Sequence, residues 1–376
     1  MIYLNNTATS YPKPISVISA LNDYFNNPPT NFGRSSAQSS LSIIGKIREQ
    51  IIDFFGANDD YNVVFTSGST EAINLVIFGL DLSTKELIIT SNEHNAVIRP
   101  LMELKSHNKI DIKIADCDEN GHLDVTKIES LINENTALII VNYVSNVTGN
   151  IQDVKSISQI AKKHNIKLLV DGSQAAGNIP IHLNESQVDF FAFTSHKSLY
   201  GIQGSGGLII KKNLDIKPLK YGGTGFKSTM LTQPDEFPYK YESGTQNIPG
   251  ILSISKGIEF INEIGLDNII LHKEKLMKRV IHDLSSIERV KLYFDIQDYS
   301  NSVLSFNIED YTPDEVSYIL QSSYGIEVRS GVHCAPLVHH NLGTYPSGTV
   351  RVSPSYFTND NEITMFLDAI HKLAAE

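Results

Sequence analysis

Short apolar runs alternate with helical patterns between about residues 60 and 210, which predicts a series of parallel βαβ units. The candidate strands are 62–66, 87–90, 112–115, 137–142, 167–170, 190–194 and 207–210, and the helical segments between them include 70–79 and 154–163. The pattern changes between Lys220 and Gly250, where glycines, prolines and aromatics crowd together as YGGTGF, EFPYKYESGTQN and IPG. Such composition predicts ordered loop with local work to do. Beyond it a helical pattern spans 251–264 and 266–285. Strand-like runs at 302–308, 327–329 and 349–352 follow, with helices near 313–322 and 361–374. No internal repeat or low-complexity linker interrupts the chain.

The length of 376 residues exceeds one ordinary core and predicts two domains. The expected division is a large α/β domain over 15–250 and a smaller α+β domain over 251–376, with residues 1–14 packing on the smaller one. A formal charge of −11 argues against nucleic acid or an anionic membrane as partner. The N-terminus MIYLNNTATSYPKP carries neither a basic nor an apolar signal region. Apolar runs such as 137–141 fall far short of the ~20 residues that span a bilayer. Cys117 and Cys334 are the two cysteines, too few for a disulfide framework or a Cys-rich metal site. They fit a reducing compartment, and the cytoplasm is the expected location.

Polar clusters recur where strands end: Thr66-Ser-Gly-Ser-Thr70, Ser91-Asn-Glu-His-Asn95, Ser145-Asn146, Asp171-Gly-Ser-Gln174 and Ser195-His-Lys197. Open parallel sheets bind ligands at the carboxyl ends of their strands, so these clusters predict one site. Ser69 and Thr70 open a helix whose free N–H groups suit a phosphate; a simple Ser/Thr cap accounts for the same letters. Asp171 follows its strand directly and could pair with a protonated pyridine nitrogen, or be an exposed turn residue. Lys197 also follows an apolar strand, where burial lowers a lysine's pKa and suits it to condense with an aldehyde. The glycines at 201, 204, 206 and 207 allow close backbone approach but do not form a dinucleotide fingerprint.

The set EHNA, SNVTG, DGSQA, FTSHK-x-LYG, YESGTQN and RSGVHCAP resembles the class V aminotransferase family, specifically its cysteine desulfurases and selenocysteine lyases, over nearly the whole chain. The short interval from Cys334 to Arg351 is similar to the group II, SUF-type branch. The resemblance implies the fold type I of pyridoxal-phosphate (PLP) dependent transferases, with a mainly parallel central sheet. It implies Lys197 as the lysine that holds the cofactor as a Schiff base, Asp171 as partner of the pyridine nitrogen, and His94 as the ring stacked on the cofactor. Gln174 and Asn146 would contact the cofactor's phenolic oxygen or the substrate, and Ser69, Thr70, Thr194 and His196 its phosphate. Thr245 would reach the phosphate of a neighbouring subunit, which implies a homodimer. Arg351, with Asn146 and Arg329, would bind the substrate, Arg351 by a bidentate clamp on its carboxylate.

The implied reaction removes sulfur from L-cysteine, giving L-alanine and a persulfide on Cys334 that a small thiol or a sulfur-acceptor protein then discharges. A selenocysteine lyase, or a class V lyase or epimerase acting on another amino acid, is the alternative within the enzymes. A sulfur carrier without turnover is the alternative outside them, against which the intact Lys197, Asp171, Arg351 and Cys334 speak. No metal is expected, although His333, Cys334, His339 and His340 lie close in sequence. Cys117, in ADCDENG, is expected to be structural because its acidic neighbours raise its pKa. Two places depart from the family pattern: Gly33 stands before Arg34 where a histidine is usual, and Asn5-Asn-Thr-Ala8 differs in its polar residues.

Overall fold

The structure, a computed structural model, describes residues 1–27, 43–294 and 302–375. The chain begins with β1 (Ile2–Tyr3), α1 (Ile15–Asn26) and α2 (Ile43–Phe54). The alternating centre follows as β2 (Tyr61–Thr66), α3 (Ser69–Gly79), β3 (Lys85–Thr90), α4 (Asn95–Ser106), β4 (Ile110–Ala115) and α5 (Val125–Leu131). It continues through β5 (Thr136–Asn142), α6 (Val154–Lys163), β6 (Lys167–Asp171), α7 (Leu183–Ser186), β7 (Phe190–Thr194) and β8 (Gly206–Lys211). Next come α8 (Ile248–Ile264), α9 (Leu266–Leu284), β9 (Val290–Tyr293), β10 (Leu304–Ile308) and α10 (Pro313–Tyr324). The chain closes with β11 (Ile326–Glu327), α11 (Pro336–Asn341), β12 (Val350–Val352) and α12 (Asp360–Ala375). Among the described residues no helix is long and apolar enough to cross a membrane.

The central sheet has seven strands in the order β2-β8-β7-β6-β5-β3-β4. Six run parallel, while β8 runs antiparallel to both β7 and β2. A run of purely parallel units therefore stops at β7. The connection from β7 to β8 carries no helix, and a parallel neighbour needs a crossover of a dozen or more residues, usually helical. Burial on both faces explains the continuous apolar runs: every residue of β7 is buried, as are Leu138 to Asn142 of β5.

One face of the sheet packs on Phe55, whose ring lies 5.2 Å from Phe191 and 5.3 Å from Phe193. Helix α8 sends Ile251, Ile254, Ile258 and Ile261 into that same core. A separate core gathers Leu276, Met277 and Val280 of α9 with Phe306, Phe366 and the N-terminal Ile2 and Leu4. The chain start reaches it because β1 pairs in parallel with β11, Ile2 opposite Ile326. In this region β12, β10 and β9 form an antiparallel sheet of three strands.

Helix α8 passes directly over the loop that follows β7. A Cβ on Gly257 would lie 1.8 Å from the Leu199 carbonyl oxygen, so only glycine admits this approach. Gly257→Ala is therefore expected to lower stability by about 1–3 kcal/mol through overpacking, read as a lower urea midpoint. An unchanged midpoint would contradict the close packing.

Candidate active site

The parallel strands β2, β3, β5, β6 and β7 end at one rim, where Thr66, Thr90, Asn142, Asp171 and Thr194 stand. Beside them opens a cavity of about 310 Å³. Of the residues singled out in the sequence, Ser69, Thr70, His94, Asn146, Asp171 and Gln174 line it. Thr194, His196, Lys197, Arg329 and Arg351 line it as well. Cys334 and Thr245 do not. Asn31 to Arg34 lie outside the described residues.

At one end of the cavity, α3 begins at Ser69 with Gly68 as its cap, and no side chain caps the helix. The simple capping role for the Ser/Thr cluster is thus not observed, and the positive end of the helix faces the cavity. The backbone here is tight: a Cβ on Gly206 would meet the Phe193 carbonyl oxygen at 2.4 Å and Gly68 Cα at 2.7 Å. Burial, then the charges of Lys197 and Lys13, push His196 down to about 4, so it is neutral. Its Nδ1 is buried without a hydrogen-bond partner. This end offers amide N–H groups, hydroxyls and an imidazole to an anion.

Asp171, 2% exposed, receives the Ser173 N–H at 2.9 Å and the Ser173 hydroxyl on one carboxylate oxygen. Burial pushes Lys197 down to about 8; the Asp171 carboxylate opposes the shift, while Arg351 and Arg329 reinforce it. The uncharged fraction of this amine near neutral pH is thus far larger than that of an ordinary lysine. His94 caps α4, its Nδ1 accepting the Ala96 N–H at 3.0 Å. Burial, then the charge of Lys197, push His94 down to about 4, so the neutral ring carries its proton on Nε2. Gln174 donates to the Thr7 carbonyl at 3.1 Å, and Asn146 to the His333 carbonyl at 2.8 Å. The Asn146 Oδ1 has no partner.

Arg351 is 1% exposed. It donates to the Asn146 carbonyl at 2.8 Å and to Asn5 Oδ1 at 3.3 Å, both neutral oxygens, and its Nε has no partner. Burial, then the neighbouring Arg329, push it down to about 9, still a cation at neutral pH. A buried guanidinium without an anion favours a guest that supplies one. Arg329 is a strand-like neighbour of Arg351 and places Nη2 3.6 Å from Cys334 Sγ. His333 and Cys334 adopt consecutive left-handed conformations, φ +49° and +59°. The Cys334 carbonyl accepts the Asn95 N–H at 2.7 Å, which ties this turn to the start of α4 beside His94.

Thr245 lies in a neighbouring depression of about 190 Å³. Ser67, Glu71 and Gly204 line both spaces, so this depression adjoins the anion end. Cys117 is buried, as expected of a structural residue, but its thiol is pushed up to about 11 chiefly by burial; Glu93 and Asp118 contribute less. The His-rich turn makes hydroxyl contacts instead of a ligand set: His333 Nε2 to Thr349 at 3.1 Å, and His339 Nδ1 to Thr344 at 2.8 Å. Among the described residues no group of three His, Cys, Asp or Glu side chains could hold a metal.

Sequence reasoning passed over Glu93, which is completely buried beside His94. Its Oε1 accepts the Thr90 hydroxyl at 2.7 Å and the Asn142 N–H at 2.9 Å, joining the ends of β3 and β5. Burial, with a smaller push from Asp171, raises its pKa to about 8. The signal was an acidic residue three positions past a buried strand end, masked by the attention its neighbour His94 draws. Taken together, the cavity offers an anion cradle, a carboxylate, a weakly basic amine and a buried guanidinium. That donor set suits a phosphate ester bearing a cationic ring nitrogen and an aldehyde, beside a carboxylate-bearing guest.

A family model described as aminotransferase class-V matches residues 2–366. A probable cysteine desulfurase of Methanothermobacter thermautotrophicus is 33% identical, over 99% of this chain and 94% of the relative. A cysteine desulfurase of Wigglesworthia glossinidia brevipalpis is 31% identical, over 99% and 92%. The apo structure of a cysteine desulfurase from Thermococcus onnurineus covers 100% of this chain and 94% of its own, with a TM-score of 0.90 at 31% identity.

Because Glu93 holds a proton in the folded protein that it releases on unfolding, it stabilises the fold fully below about pH 4.5, and that stability is lost as pH rises through about 8. Glu93→Gln stays neutral. Between pH 6 and 8 the wild type should lose up to about 1.4 kcal/mol per pH unit relative to the variant, measured from denaturant midpoints. Parallel pH profiles for the two proteins would contradict a protonated Glu93.

Proposed function

The chain belongs to the class-V aminotransferase family, and from that membership we propose that it is a PLP-dependent cysteine desulfurase, forming L-alanine from L-cysteine and a persulfide on Cys334. The observation that carries this reading is the set of groups gathered at one cavity: the start of α3 without a side-chain cap, Asp171, Lys197, Arg329 and Arg351, with Cys334 held beside Arg329. The full-length relatives named cysteine desulfurases support it.

Ser69, Thr70, Thr194 and His196 would hold the phosphate of PLP, Asp171 its ring nitrogen, and Lys197 its aldehyde carbon. Bound PLP supplies an electron sink for negative charge at the substrate's α-carbon. Arg351 takes the substrate carboxylate through two parallel N–H donors and so fixes which bonds of the substrate face the ring site. Lys197 Nζ, partly uncharged near pH 8, would accept the α-proton. His94, neutral with its proton on Nε2, would lie against the ring.

The Cys334 thiolate then attacks the substrate sulfur. A sulfur–sulfur bond forms, the substrate carbon–sulfur bond breaks with its electron pair staying on carbon, and protonation releases alanine. The Arg329 guanidinium stands beside the sulfur that carries the charge. A thiol or sulfur-acceptor protein accepts the persulfide sulfur afterwards.

Thr245, next to the anion end yet outside the cavity, supports a homodimer in which each copy completes the phosphate site of the other. A fully cofactor-loaded monomer in sedimentation would overturn that part.

The test is alanine release from cysteine in the presence of a reductant. Cys334→Ala should lower it by more than about a hundredfold, the scale of losing a nucleophile, while keeping the visible absorbance of bound PLP. Undiminished alanine release would mean that Cys334 is not the sulfur acceptor.

A further inference from the structure

The carbonyl oxygen of His196 belongs to the peptide that carries Lys197. Donors from one N-terminal segment converge on it: the Ser10 N–H at 2.9 Å, the Thr9 hydroxyl at 3.0 Å, the Ser10 hydroxyl at 3.1 Å and Lys13 Nζ at 2.9 Å. A carbonyl oxygen has two lone pairs, so this one is fully engaged by a segment almost two hundred residues away in sequence. Lys13 Nζ also donates to Ser10 Oγ at 2.8 Å, which makes a closed triangle of Lys13, Ser10 and the carbonyl. Both hydrogen-bond partners of this ammonium are neutral oxygens. Burial pushes it down to about 8, so the contact is held at a desolvation cost. The backbone is restrained as well, because Lys13 lies between Pro12 and Pro14.

The same segment reaches the other end of the cavity. Asn5 Oδ1 accepts from Arg351 at 3.3 Å, the Thr7 N–H donates to Ser353 Oγ at 2.9 Å, and the Thr7 carbonyl accepts from Gln174. One short stretch therefore touches the carboxylate-binding arginine at its start and the cofactor-holding lysine's peptide at its end.

We propose that Lys13, with Thr9 and Ser10, is a positioning residue: it clamps the His196–Lys197 peptide so that the Lys197 amine meets the cofactor's aldehyde in register with Arg351. This rests on the reading of Lys197 as the cofactor-holding lysine. The clamp adds no contact to the cofactor itself. Its effect is confined to the geometry from which Lys197 condenses with the aldehyde, a step that releases one water.

Pyridoxamine phosphate separates this role from a structural one, since it carries an amine where PLP carries the aldehyde and cannot condense with lysine. Full-length protein freed of cofactor is titrated with each compound, for the wild type, Lys13→Met, and the double variant Thr9→Val/Ser10→Ala. The Met variant keeps the aliphatic stem, and the double variant keeps the lysine, so misfolding of one leaves the other to be read. The preference for PLP over pyridoxamine phosphate should fall about tenfold or more in Lys13→Met, the scale of one charge-assisted hydrogen bond, and in the same direction in the double variant. Affinity for pyridoxamine phosphate should stay at the wild-type value. Equal losses for both compounds, or an unchanged preference in the folded variants, would overturn the clamp. A wild type that shows no preference for PLP would instead overturn the assignment of Lys197, and the clamp with it.

Discussion

The cavity gathers more positive charge than its own residues balance. Arg351 is buried against neutral oxygens, Arg329 stands beside it, and Lys197 lines the same cavity. Asp171 lies among them, Glu71 at the cavity's edge is engaged by Lys220, and burial raises Glu93 beside His94 so that it stays neutral. Removing charges from water costs several kcal/mol each unless they are paired, so an arrangement of this kind is held for the guests that complete it. In the proposed reading, a phosphate at α3 and a carboxylate at Arg351 are the anions that complete it. Burial depresses Lys197, and the neighbouring Arg351 and Arg329 add to the shift.

The fold supplies the stiffness that this imbalance requires. Parallel strands buried on both faces bring Thr66, Thr90, Asn142, Asp171 and Thr194 to one edge, and the edge is braced by Glu93 across β3 and β5. Away from the rim, Arg48 forms a bidentate pair with Glu242 at 2.7–2.8 Å. The same carboxylate accepts the Phe65 N–H at 2.7 Å, which fastens the loop carrying Thr245 to the end of β2.

Much of this was readable in the chain because strands buried on both faces are continuous apolar runs. The sites of β5, β6 and β7 follow from TALIIVN, KLLVD and FFAFT, and with them the places of Asp171 and Lys197. What stayed hidden depends on partners distant in sequence or on direction. The reversal of β8 leaves no mark in its own composition. Helix α4 carries Pro100 inside it, a residue that normally signals a break. The neutrality of Glu93, the dominance of burial over acidic neighbours at Cys117, and the convergence of Thr9, Ser10 and Lys13 on one carbonyl exist only once the chain is folded.

The central claim is that Lys197 is the amine that holds the cofactor. Reduction of the PLP-loaded protein with borohydride, followed by peptide mapping, measures this without reference to turnover. The account predicts a single pyridoxyl group on the peptide containing Lys197. A label on any other lysine, or none on a protein that has bound PLP, would contradict it.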